Sequence, residues 1–206
     1  MDWLSTISLA LGSAWTSGIN LYATVAILGL AQKFQFAKLP GGLETLDNWW
    51  IIGIALGLYV VEFVADKVPY FDSIWDVIHT FIRIPAGAIL AYSATGNFDP
   101  QVQTIAFLLG GGVAMTSHTT KTTARAFVNL SPEPFSNWIL SLFEDVIAIV
   151  GAILAVFAPI VLAVFVVLFL LVFFYMLPRI WRTFQRMFRA TVSFFRGDKS
   201  RVADLR

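Results

Sequence analysis

The first residues that could do chemistry form an ionisable group on one predicted helix face. Asp76, His79 and Arg83 follow the spacing i, i+3, i+7, so they lie on the same side of a helix. Glu62 and Asp66 precede them, one helical turn apart, at the end of another apolar segment. Charged groups in such segments are costly and usually line a cavity or pair with one another. Two interpretations stay open: a proton- or ion-binding site, or an ion-pair network at the membrane edge.

A second face carries three potential cations. His118, Lys121 and Arg125 repeat the same spacing and are surrounded by threonine and serine hydroxyls. Such a face would suit an anion, for example phosphate, a carboxylate or a lipid headgroup. Alternatively, the acids of the first face pair with Lys121 and Arg125. The two interpretations are compatible, because the acids could neutralise the cations in a resting state.

The sequence predicts no catalytic residues, no metal site and no cofactor. His79 and His118 could meet with a carboxylate around a divalent ion, but two isolated histidines are a weak signal. The chain lacks cysteine, the zinc-protease and esterase motifs, and the phosphate-binding loop. Glu144 and Asp145 are adjacent, so they are not expected to act as a catalytic pair. They would mark a helix end or pair with the basic residues.

Composition indicates that the elements holding these residues lie in a membrane. Of 206 residues, 58% are hydrophobic and 13% are charged, and the mean hydropathy is +0.76. Ordinary soluble domains have about 45–50% apolar and about 25% charged residues. The predicted fold class is therefore all-α, a polytopic transmembrane helical bundle. The chain starts Met1-Asp2-Trp3 without a basic stretch, so we expect its first apolar segment to be retained structure.

About six membrane segments with interrupted helices are predicted. Thr16, Ser17 and Asn20 lie in a small and polar stretch of the first segment, where a helix can break, and they join the candidate pathway. Pro85 should kink or split the third segment. Residues 146–177 contain no charge and form either two spans or one long kinked helix. The segments are residues 3–32, 49–65, 74–94, 102–130, 137–157 and 160–177.

The C-terminal tail predicts the orientation. Residues 1–178 hold six basic and eleven acidic residues, whereas residues 179–206 hold eight basic and two acidic ones. Basic residues concentrate on the cytoplasmic side, so we expect this tail in the cytoplasm. Residues 179–196 combine an aromatic face with an arginine face, which is typical of an amphipathic helix on the membrane surface. Its predicted contacts with anionic lipid are Trp181, Arg182, Arg186 and Arg189. Residues 197–206 are predicted to be disordered.

Short internal matches raise the question of a duplication. The tetrapeptide at residues 14–17, AWTS, is similar to AMTS at 114–117, and Asn48-Trp49 is matched by Asn137-Trp138. Chance matches are common in apolar sequence, so a duplication and coincidence both stay open. A duplication would divide the transmembrane domain, residues 1–178, into halves 1–98 and 99–178. With three spans in each half the halves would be an inverted repeat, as in many transporters.

Three stretches carry a resemblance to a known family. Residues 62–91 contain EFVADKVP followed by DSIWDVIHTFIRIPAGA; residues 18–24 are GINLYAT, and residues 117–125 begin with Ser-His and end with Arg. Over residues 5–160 the chain resembles a bacterial family of predicted inner-membrane proteins that is described only as a domain of unknown function. The resemblance implies a protein with several membrane spans and implies no activity.

The leading hypothesis is a small transporter, channel or lipid-headgroup translocator in a bacterial inner membrane. Its substrate would be a small ion or an anionic molecule, with proton coupling through a histidine or carboxylate. A structural or regulatory protein that binds anionic inner-leaflet lipid is the alternative, and an enzyme acting on lipid phosphates is a third. Membrane lipids and further copies of the chain are the expected partners. Nucleic acid is not expected, because the basic tail alternates with aromatic residues.

Overall fold

The computed structural model describes residues 1–68, 71–129 and 134–195, and within these ranges the chain forms helices and no strands. The predicted all-α class is thus confirmed. The contacts divide the chain into two units, Met1–Val166 and Val167–Arg206. The helices are α1 (Trp3–Ile19), α2 (Leu21–Lys33), a 3-10 helix (Gly41–Asp47), α3 (Trp49–Ala65), α4 (Phe71–Ala94), α5 (Pro100–Val128), α6 (Pro134–Phe157) and α7 (Pro159–Phe195).

The burial pattern of the first unit is the reverse of that in a soluble protein. On α4 the side chain of Phe81 is 79% exposed, whereas Arg83, two residues later, is fully buried. Glu62 on α3 is also fully buried, while Ile54 on the same helix is 60% exposed. Exposed apolar and buried charged side chains are stable together where the surroundings are hydrocarbon.

Three helices are long and apolar enough to cross a membrane by length and composition: Ile74–Ala94, Phe135–Phe157 and Pro159–Arg179. The 3-10 helix and α3 meet the same criterion together, but they meet at an angle of 78°. Helix α5 has 29 residues and falls outside this group because its second half is polar. The described part of the chain therefore has membrane-protein character, with three or four helices recognisable as spans, and the predicted count of six is not confirmed.

Asn20 interrupts the first segment, with φ −145° and ψ 102°. Its side-chain oxygen accepts a hydrogen bond from Ala23 N at 2.9 Å and so caps α2. In a continuous helix Ala23 N would bond to Ile19 O. The cap therefore frees the Ile19 carbonyl at the end of α1. Asn is a favourable residue at such a position because its side-chain oxygen accepts from one of the backbone N–H groups that the helix start leaves without an acceptor.

Helices α1 and α2 form a hairpin with Asn20 at its tip. A cavity of about 370 Å³ is lined by Trp3 at the start of α1, Leu39 after α2 and Phe98 after α4. Helix α2 thus returns to the end of the bundle where α1 begins. At 1.5 Å per residue α1 is about 25 Å long, so the tip at Asn20 lies deep within the bundle.

Helices α1, α4 and α5 pack at close range through small residues. A Cβ atom at Gly18 of α1 would lie 2.3 Å from Ala114 O of α5. A Cβ atom at Gly87 of α4 would lie 2.4 Å from Ala114 Cβ, and one at Gly110 of α5 would lie 2.8 Å from Gly87 O. Small residues allow helix backbones to approach in this way, and the contacts bring the polar faces of the three helices together.

Two predicted breaks have different outcomes. Helix α4 continues through Pro85 as one helix, so the predicted split is absent. The uncharged stretch is divided at Ala158, and residues on both sides of the break pack against α1: Ala155 and Leu162 each lie near Gly12. This arrangement agrees with two spans. The backbone of α7 runs to Phe195, so the predicted surface helix is part of α7, and residues 197–206 lie outside the described part of the chain.

The glycine contacts give a direct test of this packing. We expect Gly18→Ala to destabilise the protein by about 1–3 kcal/mol, because the added methyl group would overpack a contact with the Ala114 carbonyl. Gly57→Ala is the matched control, since a Cβ atom there has no neighbour within 4 Å. It should be neutral or stabilising by up to about 1 kcal/mol through helix propensity. The midpoint of thermal unfolding in detergent measures both; equal effects would contradict the close approach of α1 and α5.

Candidate functional site

The two predicted faces converge on one ion-pair network inside the bundle. Arg83 of α4 is near its centre, and its Nη2 donates to Glu62 Oε1 at 2.5 Å. Its Nη1 lies 3.3 Å from Asp76 Oδ1. All three side chains are buried. A buried guanidinium of this kind is stable only when carboxylates compensate its lost hydration.

Lys121 of α5 connects the network to the hairpin tip. Its Nζ donates to Asp66 Oδ2 at 3.1 Å and to Glu62 Oε1 at 3.3 Å. It also donates to Ile19 O at 3.2 Å, the carbonyl freed by the Asn20 cap. The positive charge of Lys121 thus lies at the negative end of the α1 dipole, which is a favourable position for a cation.

Arg125, one turn further along α5, contacts the end of α3, the start of α4 and the middle of α6. Its Nη2 lies 2.9 Å from Asp66 Oδ2, and its Nε donates to Glu144 Oε2 of α6 at 2.9 Å. Its Nη1 donates to the Asp66 carbonyl at 3.2 Å and lies 3.5 Å from Asp72 Oδ2 at the start of α4. One guanidinium therefore joins α3, α4 and α6 to α5.

His118 is hydrogen-bonded as a neutral imidazole. Arg83 Nη1 lies 3.2 Å from His118 Nδ1, and a guanidinium can only donate, so Nδ1 is the acceptor. The proton is then on Nε2, which donates to Thr80 Oγ1 at 2.8 Å. Thr80 in turn donates to Asp76 O at 3.0 Å. The residue predicted as a third cation is thus a relay between Arg83 and the α4 backbone.

His79 lies at the edge of the network and contacts the hairpin. Its Nδ1 is 2.8 Å from Trp75 O and its Nε2 is 2.9 Å from the Tyr22 hydroxyl on α2. A carbonyl can only accept, so Nδ1 carries the proton and Nε2 accepts from Tyr22. Its ring also stacks on Trp75 with centroids 4.4 Å apart.

The polar residues of the first segment, Thr16, Ser17 and Asn20, differ in their hydrogen-bond partners. Asn20 Nδ2 donates to Asp145 Oδ1 at 3.3 Å, so Asn20 joins the hairpin tip to α6 beside the network. Thr16 donates to Gly12 O at 3.0 Å, and Ser17 donates to Ala14 O at 2.8 Å, within their own helix. Thr16 and Ser17 therefore contribute to helix packing rather than to the ion pairs.

Buried carboxylates outnumber buried cations in the described part of the network. The three cations are Arg83, Lys121 and Arg125, and the six acids are Glu62, Asp66, Asp72, Asp76, Glu144 and Asp145. Among the described residues, four buried carboxylate oxygens have no hydrogen-bond partner: Glu62 Oε2, Asp66 Oδ1, Glu144 Oε1 and Asp145 Oδ2. An unpaired buried carboxylate is unfavourable. The excess therefore calls for protons or small cations.

Sequence reasoning omitted several members of the network from the candidate site. Asp72 and Glu144 pair with Arg125, whereas Asp145 bonds to Asn20 and Tyr22 bonds to His79 at its edge. Glu144 and Asp145 carried a usable signal, because two charges in an apolar segment require partners. Because they are adjacent, they were not expected to share one helix face. Both are nevertheless buried, since Glu144 bonds to Arg125 and Asp145 bonds to Asn20.

The predicted lipid contacts lie in the second unit. Arg182 is exposed on α7, and only the backbone is described at Trp181, Arg186 and Arg189. Before them, Arg179 stacks on Tyr175, with its guanidinium 3.8 Å from the ring centroid. Among the described residues no group of three or more His, Asp or Glu side chains could hold a metal ion.

Apolar helices around a buried ion-pair network define a helical membrane protein. The chain belongs to the family described as Domain of unknown function (DUF4126), whose model matches residues 7–179. The resemblance predicted from the sequence is confirmed, and the match extends beyond the expected residue 160. No curated protein and no solved structure matches the chain. The family brings no activity, and the membrane class rests on the apolar helices of the structure.

The Arg125–Glu144 pair tests whether the network stabilises the bundle. We expect Arg125→Met to cost about 3–5 kcal/mol, because it leaves buried carboxylates without their partner. Glu144→Gln should cost less, and the double variant should lose less than the sum of the single changes. Lys38→Met is the control, because Lys38 is exposed. Thermal unfolding in detergent measures all four; additive losses would show that the two side chains do not interact.

Proposed function

We propose that the chain is a small membrane transporter that moves a proton or a small cation through the ion-pair network. The observation that carries this proposal is the position of the α1–α2 hairpin tip. Asn20 lies against the carboxylate of Asp145, and the Ile19 carbonyl, which the Asn20 cap releases from the helix, accepts from Lys121. Interrupted helices that present backbone carbonyls to an ion are a recurring arrangement in transporters.

The charge balance favours a cation over the predicted anionic alternative. Arg83, Lys121 and Arg125 each already contact at least two carboxylates. An incoming anion would have to displace those acids and leave them buried. A proton or cation instead neutralises carboxylate oxygens that lack partners. The network is thus better suited to bind a proton or a cation than a phosphate or a lipid headgroup.

Within this proposal the candidate residues have different roles. Glu62, Asp66 and Asp76 would accept the proton or cation, and Asn20 would orient the hairpin tip. Arg83 and Arg125 would hold the carboxylates in place. His79 and His118 would transfer protons along the hydrogen bonds to Tyr22 and Thr80.

A structural or regulatory membrane protein is the second candidate. It is favoured by one observation: Arg125 joins α3, α4 and α6 to α5, as a purely structural clamp would do. In this case the network would hold helices together and pass nothing.

The finer architecture is part of the proposal. Six segments result if the α1–α2 hairpin is the first and α3 to α7 are the others, with α5 crossing as a polar helix of about 44 Å. The tail would lie on the cytoplasmic leaflet of a bacterial inner membrane and bind anionic lipid through Trp181, Arg182, Arg186 and Arg189. The concentration of basic residues in 179–206, against the acidic excess of residues 1–178, supports this orientation.

The internal repeat receives less support as an inverted one. The motifs at residues 14–17 and 114–117 lie next to each other across the α1–α5 contact. However, Ile7 and Ile105 line the same cavity while Gly18 lies beside Ala114, so α1 and α5 run in the same direction. Inverted halves would place the two motifs in opposite directions. A duplication of these motifs would be a parallel one.

Ion flux tests the proposed transport. Purified protein in liposomes containing a pH-sensitive dye should dissipate an imposed proton gradient, or a sodium or potassium gradient detected with the matching dye. Asp76→Asn should reduce the rate at least tenfold, since it removes a carboxylate of the network. Lys121→Gln should alter the rate as well, because it changes the charge balance at the hairpin tip.

Two controls accompany the flux assay. Lys38→Gln should leave the rate unchanged, because Lys38 is exposed. Fluorescent headgroup lipids in the same vesicles report lipid translocation. Proton and cation flux equal to that of empty liposomes would contradict the proposal and favour the structural candidate; lipid movement alone would redirect it to a headgroup substrate.

The orientation has its own test. A reporter that is active only in the cytoplasm should be active when fused after Arg206, and a reporter active only in the periplasm should be silent there. The expectation rests on the eight basic residues of 179–206. The reverse pattern of activity would overturn the proposed orientation.

A further inference from the structure

We infer that the ammonium group of Lys121 occupies a site for a monovalent cation, and that an alkali-metal ion takes the site when the ammonium withdraws. The inference deepens the proposed function, on which it rests, by naming the oxygens that would bind the ion. These are the carbonyl of Ile19, Oε1 of Glu62 and Oδ2 of Asp66.

The donor set has the chemistry of an ion site. Lys121 Nζ lies 3.2 Å from Ile19 O, 3.3 Å from Glu62 Oε1 and 3.1 Å from Asp66 Oδ2. The carbonyl is available only because Ala23 N bonds to Asn20 instead. Oxygens from a helix end and from carboxylates are suited to hard cations.

Further oxygens are available once the ammonium leaves. Glu62 Oε2 and Asp66 Oδ1 belong to the same two carboxylates, are buried and have no hydrogen-bond partner. A bare ion could gather them into its coordination shell, whereas an ammonium has only three protons to donate. The unpartnered oxygens therefore point to a ligand with more bonds to offer than Lys121.

The ammonium has alternative positions close by. Asp76 Oδ1 is 3.9 Å and Glu144 Oε2 is 3.8 Å from Nζ. Lys has a flexible four-carbon stem, so Nζ can move toward either carboxylate without a shift of α5. It would remain paired while an ion takes its place at the Ile19 carbonyl, and the positive charge that the ion adds would be balanced by the excess of buried carboxylates.

The donor set favours a monovalent over a divalent ion. The site has two carboxylates, and these are shared with Arg83 and Arg125. A divalent ion usually requires more anionic ligands, and within the described chain no group of three His, Asp or Glu side chains could hold one. The chemical class is therefore an alkali-metal ion.

Removal of the Lys121 side chain tests the inference by equilibrium binding. The full-length Lys121→Ala variant in detergent is heated in lithium, sodium, potassium or rubidium chloride, with choline chloride keeping ionic strength constant. We expect one of these ions to raise the unfolding midpoint by several degrees with saturation. The wild-type protein should show at most a small ion-specific shift, because its ammonium competes for the site.

Matched variants isolate the site. Lys67→Ala removes a lysine that bonds to Phe63 O outside the donor set, so it should gain no ion-specific shift. Adding Glu62→Gln to Lys121→Ala should reduce the shift at least severalfold. If Lys121→Ala fails to fold, Lys121→Met keeps the volume of the stem and carries the same test.

The outcomes separate the site from the transport proposal. Equal midpoints of the folded Lys121 variant in all the alkali chlorides and in choline chloride would overturn the site, even if the wild-type protein transports protons. An ion-specific shift in a protein that shows no flux would support the site and contradict only transport. Binding by equilibrium dialysis of radioactive rubidium, competed by the ion that gives the shift, checks the same expectation.

Discussion

The structure depends on the compensation of three buried cations by carboxylates. Arg83, Lys121 and Arg125 are almost completely removed from solvent, and each would be prohibitively costly in an apolar bundle without a partner. The partners come from α3, α4 and α6, so the helices that carry them must pack around α5. The same requirement positions the hairpin, because the Ile19 carbonyl is the third oxygen that accepts from Lys121 Nζ, beside Glu62 Oε1 and Asp66 Oδ2.

The sequence was sufficient for the class and for most of the charged faces, because both follow from local rules. Composition excludes a soluble fold, and helical spacing puts Asp76 and Arg83, and likewise Lys121 and Arg125, on single faces. Which atoms pair could not be predicted, because it depends on the relative positions of four helices. His118 illustrates the limit: its residue type suggested a cation, and only the contact with Arg83 establishes it as an acceptor.

The positions of the helix breaks were harder to predict for a related reason. Pro85 was expected to kink or split α4, yet α4 continues through it, whereas the break expected in the polar stretch of the first segment occurs at Asn20. The asparagine succeeds because it satisfies Ala23 N while its own amide donates to Asp145. Such a break is stabilised by tertiary contacts, which a sequence window does not contain. The predicted count of six spans is not confirmed by length and composition, since α5 is polar and packs through charges and glycines rather than through hydrocarbon alone.

The bundle contains two kinds of helix contact: close backbone packing at glycines, and ion pairs. Backbone packing at Gly18, Gly87 and Gly110 joins α1, α4 and α5 through van der Waals contacts that neither water nor a proton can replace. The second half of α3 has no such glycine contact, since a Cβ atom added at Gly57 would have no neighbour within 4 Å. Its Glu62 and Asp66 meet the other helices through ion pairs, which hydration or protonation can substitute. A closely packed three-helix frame therefore faces a helix end that is held by ion pairs. In the proposed transporter, the occupancy of these two carboxylates would control access to the interior.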